Sequence, residues 1–141
     1  IDNTEKDLIL QYEVRFQKAL ECGGAYIKLL RDGSIRSAED LRDDTPFVVM
    51  FGPDLCGKTD RIHVIIPHFN PVSGQWSEHR LRGGPRPAND TNTHLYTLII
   101  RRDDSVEILI DQINKFTGSL HTDFEPPFST PAVPVLAYAH A

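Results

Sequence analysis

The only two cysteines of the chain, Cys22 and Cys56, each stand beside an apolar run with the character of a β-strand. Cys22-Gly23-Gly24 leads into Ala25-Tyr26-Ile27-Lys28-Leu29-Leu30, and Phe47-Val48-Val49-Met50-Phe51 leads through Gly52-Pro53-Asp54-Leu55 to Cys56. A bond between them would tie two strands and the loop between them around one small surface. Closing a loop of that size stabilises a fold by roughly 3 to 4 kcal/mol when the native geometry is unstrained. Two cysteines alone do not establish a redox compartment. Asn89-Asp90-Thr91 is a candidate N-glycosylation acceptor in a loop rich in Pro, Gly and Asn, and it agrees with a secretory setting.

Hydrophobic periodicity around these segments reads as sheet. Leu8, Leu10, Tyr12, Val14 and Phe16 alternate with Ile9, Gln11, Glu13 and Arg15, a period of two that presents one face to a core and the other to water. Similar runs span 25–30, 47–51, 61–66, 95–101 and 106–111, each bounded by Gly, Pro, Asn or Asp. The last two predict a hairpin turning at Asp103-Asp104. Only Ser37-Ala38-Glu39-Asp40-Leu41 has the look of a helical turn, and Pro46 stops it from extending. Six strands predict an all-β antiparallel sandwich, incomplete and with exposed edges. Residues 67–92 are expected to form a long loop or ragged hairpin with Trp76 as its anchor. After Gly118 the pattern decays into Pro126, Pro127, Pro131 and Pro134, so 1–125 reads as the domain and 126–141 as a proline-rich tail.

Charge narrows the function classes. At 141 residues and net charge −5, without a run of Lys or Arg, the chain does not read as a nucleic-acid binder. No apolar stretch reaches the roughly 20 residues that cross a bilayer as a helix; whether a longer protein is membrane-anchored is open. The six histidines have no metal-ligand spacing, and no serine sits in a nucleophile elbow, so neither a metal centre nor an enzyme is expected. Gly52-Pro53-Asp54-Leu55-Cys56-Gly57-Lys58-Thr59 spells a phosphate-binding loop, the basis of an alternative reading as a P-loop nucleotide-binding protein. Such a loop must open an α-helix whose N-terminal amides hold the phosphate. The residues that follow, Asp60-Arg61-Ile62-His63-Val64-Ile65-Ile66-Pro67, are β-branched, alternating and closed by proline, which predicts a strand.

The surface around the cysteines holds Tyr26, Lys28 and Asp54. An aromatic face beside charged hydrogen-bonding groups suits a sugar, whose pyranose ring has apolar C–H faces and hydroxyl edges. Both cysteine segments, with Arg15-Phe16-Gln17-Lys18 ahead of the first, resemble the two sequence signatures of the calreticulin and calnexin family of lectin chaperones. The resemblance continues through Thr93-His94-Leu95-Tyr96-Thr97-Leu98-Ile99-Ile100 and Glu107-Ile108-Leu109-Ile110-Asp111-Gln112. His68-Phe69-Asn70-Pro71-Val72-Ser73-Gly74 and Asp123-Phe124-Glu125-Pro126-Pro127 are more similar to the calnexin and calmegin branch.

The resemblance implies a concanavalin-like jelly-roll sandwich in the lumen of the endoplasmic reticulum. Its ligand there would be the monoglucosylated oligomannose glycan of unfolded glycoproteins, held without bond cleavage. It implies that Tyr26 packs against and hydrogen-bonds the sugar, Lys28 donates to hydroxyls, Asp54 accepts from them, and Met50 and Ile65 lie beneath the ring. Cys22 and Cys56 would form a disulfide at the edge of the site. Phe47 stands where the family usually has a tyrosine, so stacking is retained while one hydroxyl contact is lost. Calcium is expected for the complete family domain, but its ligands are not identifiable in this chain. A thiol oxidoreductase and a prolyl isomerase would be partners only where a proline-rich arm is present. A third reading is a β-sandwich protein-interaction module without sugar binding.

Overall fold

The alternation near the start of the chain becomes β1 (Leu8–Arg15), whose even-numbered residues are half-buried while the odd-numbered ones face solvent. It pairs antiparallel with β7 (Thr93–Ile100), from Leu8 opposite Ile100 to Arg15 opposite Thr93. β8 (Ser105–Ile110) and β9 (Ile113–Ser119) complete a four-stranded sheet in the order β1-β7-β8-β9. The β7–β8 turn falls where the sequence predicts it. Arg101 N–H donates to Ser105 O at 2.9 Å and Asp104 N–H to Arg101 O at 3.0 Å, with Asp104 at φ +64°. These relations come from a computed structural model that describes residues 5–129.

The second sheet has six strands and carries both cysteines. β4 (Phe47–Cys56) and β5 (Thr59–Asn70) form its centre, with β6 (Gln75–Leu81) and the short β10 (Phe124–Glu125) beyond β5. The other edge of β4 is shared: β2 (Cys22–Gly24) pairs with its cysteine end and β3 (Ile27–Leu30) with its start. Val49, Phe51, Ile62, Val64 and Leu81 from this sheet meet Tyr96, Leu98, Val106, Ile108 and Ile110 from the other, with Phe124 closing one end of the core. The architecture is the all-β antiparallel sandwich that the sequence predicts.

Three expectations are corrected. The chain has ten strands among the described residues, where periodicity identifies six. Residues 67–92 are not one loop, because β5 continues to Asn70 and turns through 71–74 into β6, placing Trp76 on a strand opposite Phe69. Pro67 is tolerated there because it lies past Ile65, the last β5 residue paired with β4, so one of its flanks carries no ladder. The pattern also persists beyond Gly118. Phe128 N–H donates to Leu120 O at 3.0 Å, the Phe128 ring stacks on His79 at 3.9 Å, and His121 joins Phe128 O to Asp104. The expected tail beyond 129 lies outside the described residues.

The phosphate-loop spelling is accounted for by a hairpin. Asp60 to Ile66 is strand, and Gly57-Lys58 form a two-residue turn between Cys56 and Thr59, with Gly57 at φ +62°. No helix N-terminus exists at this position to hold a phosphate, and the nucleotide-binding alternative loses its physical basis. The expected helical turn is present as a single 3-10 turn over Ala38–Asp40, capped by Ser37.

Candidate carbohydrate-binding groove

Pairing across four strands sets one row of side chains side by side: Lys28 on β3, Met50 on β4, Ile65 on β5 and Arg80 on β6. Strand alternation puts this row on the sheet's outer face, since Phe51, Val64 and Leu81 between its members point into the core. Outer-face residues normally meet water, yet Met50 is only 8% exposed and Ile65 only 7%. They form the floor of a groove of about 490 Å³, walled by Asp43, Asp44, Thr45, Pro46 and Phe47 on one side and by Trp76, Glu78 and Arg80 on another. The first wall is braced by Arg42 N–H donating to Thr45 Oγ1 at 2.8 Å and Arg31 N–H to Pro46 O at 3.0 Å.

Phe47 reaches this groove through an irregularity. Leu29 pairs with Val49 but Leu30 pairs with Phe47, so Val48 is an extra residue on β4. A bulge of this kind reverses the facing of what precedes it. Val48 and Val49 accordingly both line the opposite cleft, and Phe47 turns to the groove, where its ring centroid lies 5.0 Å from Lys28 Nζ. The result is an apolar floor beneath a rim of opposite charges. Arg80 donates to Glu78 at 2.6 Å, and Lys28 is left with its donors facing the aromatic ring.

Of the residues expected at the site, Lys28, Phe47, Met50 and Ile65 are brought together in the groove. Tyr26 and Asp54 are not part of its lining; they lie farther along the same sheet toward the cysteines. Asp54 pairs with Arg61 in register, and its Oδ2 accepts from His63 Nε2 at 2.9 Å. Tyr26 is 41% exposed, and its ring rests over Gly24, where any added Cβ would collide with it. Gly52 has φ +144°, and a Cβ there would strike the Tyr12 hydroxyl and come within 2.6 Å of Tyr26 Cα. That hydroxyl donates to Ala25 O at 2.7 Å, and burial pushes its pKa upward. Gly24 thus leaves room for the Tyr26 ring, and Gly52 lets both Tyr12 and Tyr26 approach β4 closely.

The disulfide joins Cys22 and Cys56 as directly opposed residues, 34 positions apart, at the end of the sheet remote from the bulge. Six residues of strand, roughly 20 Å, separate Cys56 from Met50. The bond therefore anchors the strands that carry the site from one end. Asn89 uses its amide as a clasp, accepting from Leu20 N–H at 2.7 Å and donating to Leu20 O at 3.1 Å while remaining exposed.

Glu78 and Arg80 are groove residues that the sequence reading passed over. They fall in the stretch expected to be a loop, where polar residues at most positions of 75–81 leave no local strand signal. Glu107 on β8 and Asp111 just after it lie outside the groove and are held in contacts of the other sheet. Glu107 pairs with Arg101 at 3.0 Å, and Asp111 accepts from Leu95 N–H at 2.9 Å and His94 at 2.7 Å.

The fold and the groove have known counterparts. A sequence model of the Calreticulin family matches residues 1–134. A calnexin homolog from Aspergillus fumigatus is 46% identical over 127 residues, covering 90% of this chain and 23% of the relative. Calnexin homolog 2 of Arabidopsis thaliana is 45% identical, covering 87% and 24%, and calmegin of Bos taurus is 44% identical, covering 90% and 22%. The globular domain of T. cruzi calreticulin superposes with a TM-score of 0.75 at 35% identity, over 89% of this chain and 44% of that one. This chain spans about a quarter of the length of the curated relatives it matches. Its sandwich matches the jelly-roll of that globular domain, and the chain belongs to the calreticulin family.

Proposed function

We propose that this chain is part of a lectin chaperone of the endoplasmic reticulum that holds monoglucosylated oligomannose glycans of unfolded glycoproteins and breaks no bond. The observation that carries the reading is the shielded floor of Met50 and Ile65 on the outer face of a sheet, set between Lys28 and the Glu78–Arg80 pair. A pyranose matches that arrangement. Its C–H face covers the floor and the Phe47 ring, Lys28 donates to its hydroxyls, and Glu78 accepts from them. Tyr26 and Asp54 extend the polar surface beyond the groove toward the disulfide. Calcium dependence belongs to this reading only in the complete family domain; among the described residues no group of three or more His, Cys, Asp or Glu is placed to hold a metal ion. A thiol oxidoreductase and a prolyl isomerase enter this reading only with a proline-rich arm in a longer protein.

Calorimetric titration with two oligomannose glycans that differ only in the terminal glucose tests the proposal. Binding confined to the glucosylated glycan is expected, and Lys28→Ala should abolish it without lowering the melting temperature. Phe47→Tyr restores one neutral hydrogen bond worth about 1 kcal/mol, so it should tighten binding roughly fivefold. A folded chain that binds neither glycan would favour an interaction module without sugar binding.

A further inference from the structure

The acceptor triplet Asn89-Asp90-Thr91 is tied into the fold at each of its residues. Asn89 Oδ1 accepts from Leu20 N–H at 2.7 Å while its Nδ2 donates to Leu20 O at 3.1 Å. Asp90 Oδ1 accepts from Asn92 N–H at 2.7 Å and faces His94 Nε2 at 3.0 Å. Thr91 O accepts from Arg15 Nε at 3.0 Å, and Tyr96 donates to Ala88 O at 3.4 Å just ahead of the triplet. Asn89 is nevertheless exposed, so burial is not what would shut this site. We infer that Asn89 is a modification site open to N-glycosylation only before this loop closes, because a glycan and the Leu20 clasp require the same hydrogen of its amide.

The carboxamide of asparagine has one N–H hydrogen on the side of its carbonyl oxygen and one on the far side. To meet the N–H and the C=O of a single residue together, Asn89 must aim its oxygen and its near-side hydrogen in the same direction. Glycosylation forms a bond from Nδ2 to the anomeric carbon of an oligosaccharide as the bond from that carbon to its lipid diphosphate carrier breaks. The diphosphate leaves with its electron pair, and Nδ2 gives up one proton to solvent. The product is a secondary amide, which places its carbon substituent on the side of the carbonyl oxygen and strongly disfavours the reverse arrangement. The sugar then stands where the hydrogen bonded to Leu20 O stood. A modified Asn89 cannot close the clasp, and a closed clasp offers no free hydrogen on that side to replace. Leu20 lies two residues before Cys22 at the start of β2, a strand fastened to β4 by the disulfide, so the site closes together with that end of the sheet. None of this depends on glycan binding in the groove.

The test offers the full chain to purified oligosaccharyltransferase and a lipid-linked oligosaccharide in two states. One is folded with its disulfide intact; the other is reduced and alkylated at Cys22 and Cys56, with circular dichroism confirming that it is unfolded. Two hydrogen bonds keep the amide closed far more than open, so the folded chain should be modified at about one-tenth the rate of the unfolded one. Leu20→Pro deletes the N–H of the clasp but leaves the acceptor triplet whole, and its folded form should recover most of that rate. Amide exchange at Leu20 reads the converse. Its N–H should be protected in the unmodified chain and in Thr91→Ala, which removes the acceptor signal and keeps the clasp, and should exchange about tenfold faster in the glycosylated chain and in Asn89→Ala. Equal transfer to the folded and unfolded chains, transfer to neither, a folded Leu20→Pro chain as slow as the wild type, or a glycosylated chain with Leu20 still protected would overturn the inference. Should Leu20→Pro fail to fold, the exchange comparison decides alone.

Discussion

The two sheets share one core but treat their outer faces differently. In the four-stranded sheet β8 alternates strictly between half-buried and buried residues, and β1 between half-buried and exposed ones. Its outer face carries polar contacts such as Arg101–Glu107 and Gln11–Thr97, the second over a buried threonine. In the six-stranded sheet, β4 is buried without interruption from Val49 to Pro53, so both faces of that strand are covered. One face is covered by the core, to which Tyr12 belongs, and the other by the groove walls, while Tyr26 closes against Gly52. Apolar residues kept out of water on an outer face, without a second core layer, form the floor on which the proposed glycan site rests.

Gly52→Ala should break that arrangement most severely. The added methyl meets the Tyr12 hydroxyl and Tyr26 Cα at a backbone angle that disfavours any side chain, and the combined strain and overpacking should cost about 4 kcal/mol in a urea melt. A paired substitution sharpens the contrast between the two faces. Met50→Ala empties the groove floor and should cost about 2 to 3 kcal/mol, whereas Ile9→Ala on the outer face of β1, 62% exposed, should stay within about 0.5 kcal/mol. Equal costs for the two would mean that the outer faces do not differ in kind.

The smallest effect concerns pH and belongs to the four-stranded sheet. His94 at the start of β7 is bonded to Asp111 at 2.7 Å and Asp90 at 3.0 Å, and the Asp111 bond is the main cause of its raised pKa. Asp111 and Asp90 are lowered, chiefly by the backbone N–H groups of Leu95 and Asn92 and then by His94. A raised histidine contributes stability that is complete below the ordinary imidazole range and is lost as pH climbs through the folded-state value; the lowered carboxylates lose theirs only in acid. The melting temperature of the wild-type chain, measured against His94→Gln, should therefore fall by a small amount between about pH 6 and pH 8. A constant difference would show that this triad does not titrate with folding.

Legibility in the sequence followed the same division. β1 could be read because one side meets the core and the other meets water, which imposes a period of two, and β7 and β8 because their apolar, β-branched runs are bounded by turn residues. β6 and β9 could not, since each carries polar residues at most positions and β9 is an edge strand held by a single neighbour. Four of the six expected groove residues meet in the groove, while Tyr26 and Asp54 lie along its sheet toward the disulfide. Glu78 and Arg80 were hidden because nothing local in a polar stretch distinguishes a strand from a loop; the pairing of Ile65 with Arg80 does.

By itself, the sequence determined the all-β class, the β7–β8 hairpin, the strand after Gly57-Lys58 that removes the phosphate-loop reading, and the family, because each of these is written in local pattern or contiguous motif. Register and the facing of individual side chains were decided only in the tertiary structure. Val48 as an extra residue turns Phe47 into the groove, and the six-stranded pairing sets Lys28, Met50, Ile65 and Arg80 in one row from four strands. The physical reason is that facing has a period of two, so one inserted residue inverts it, and only the hydrogen-bonded neighbour determines where that insertion is absorbed.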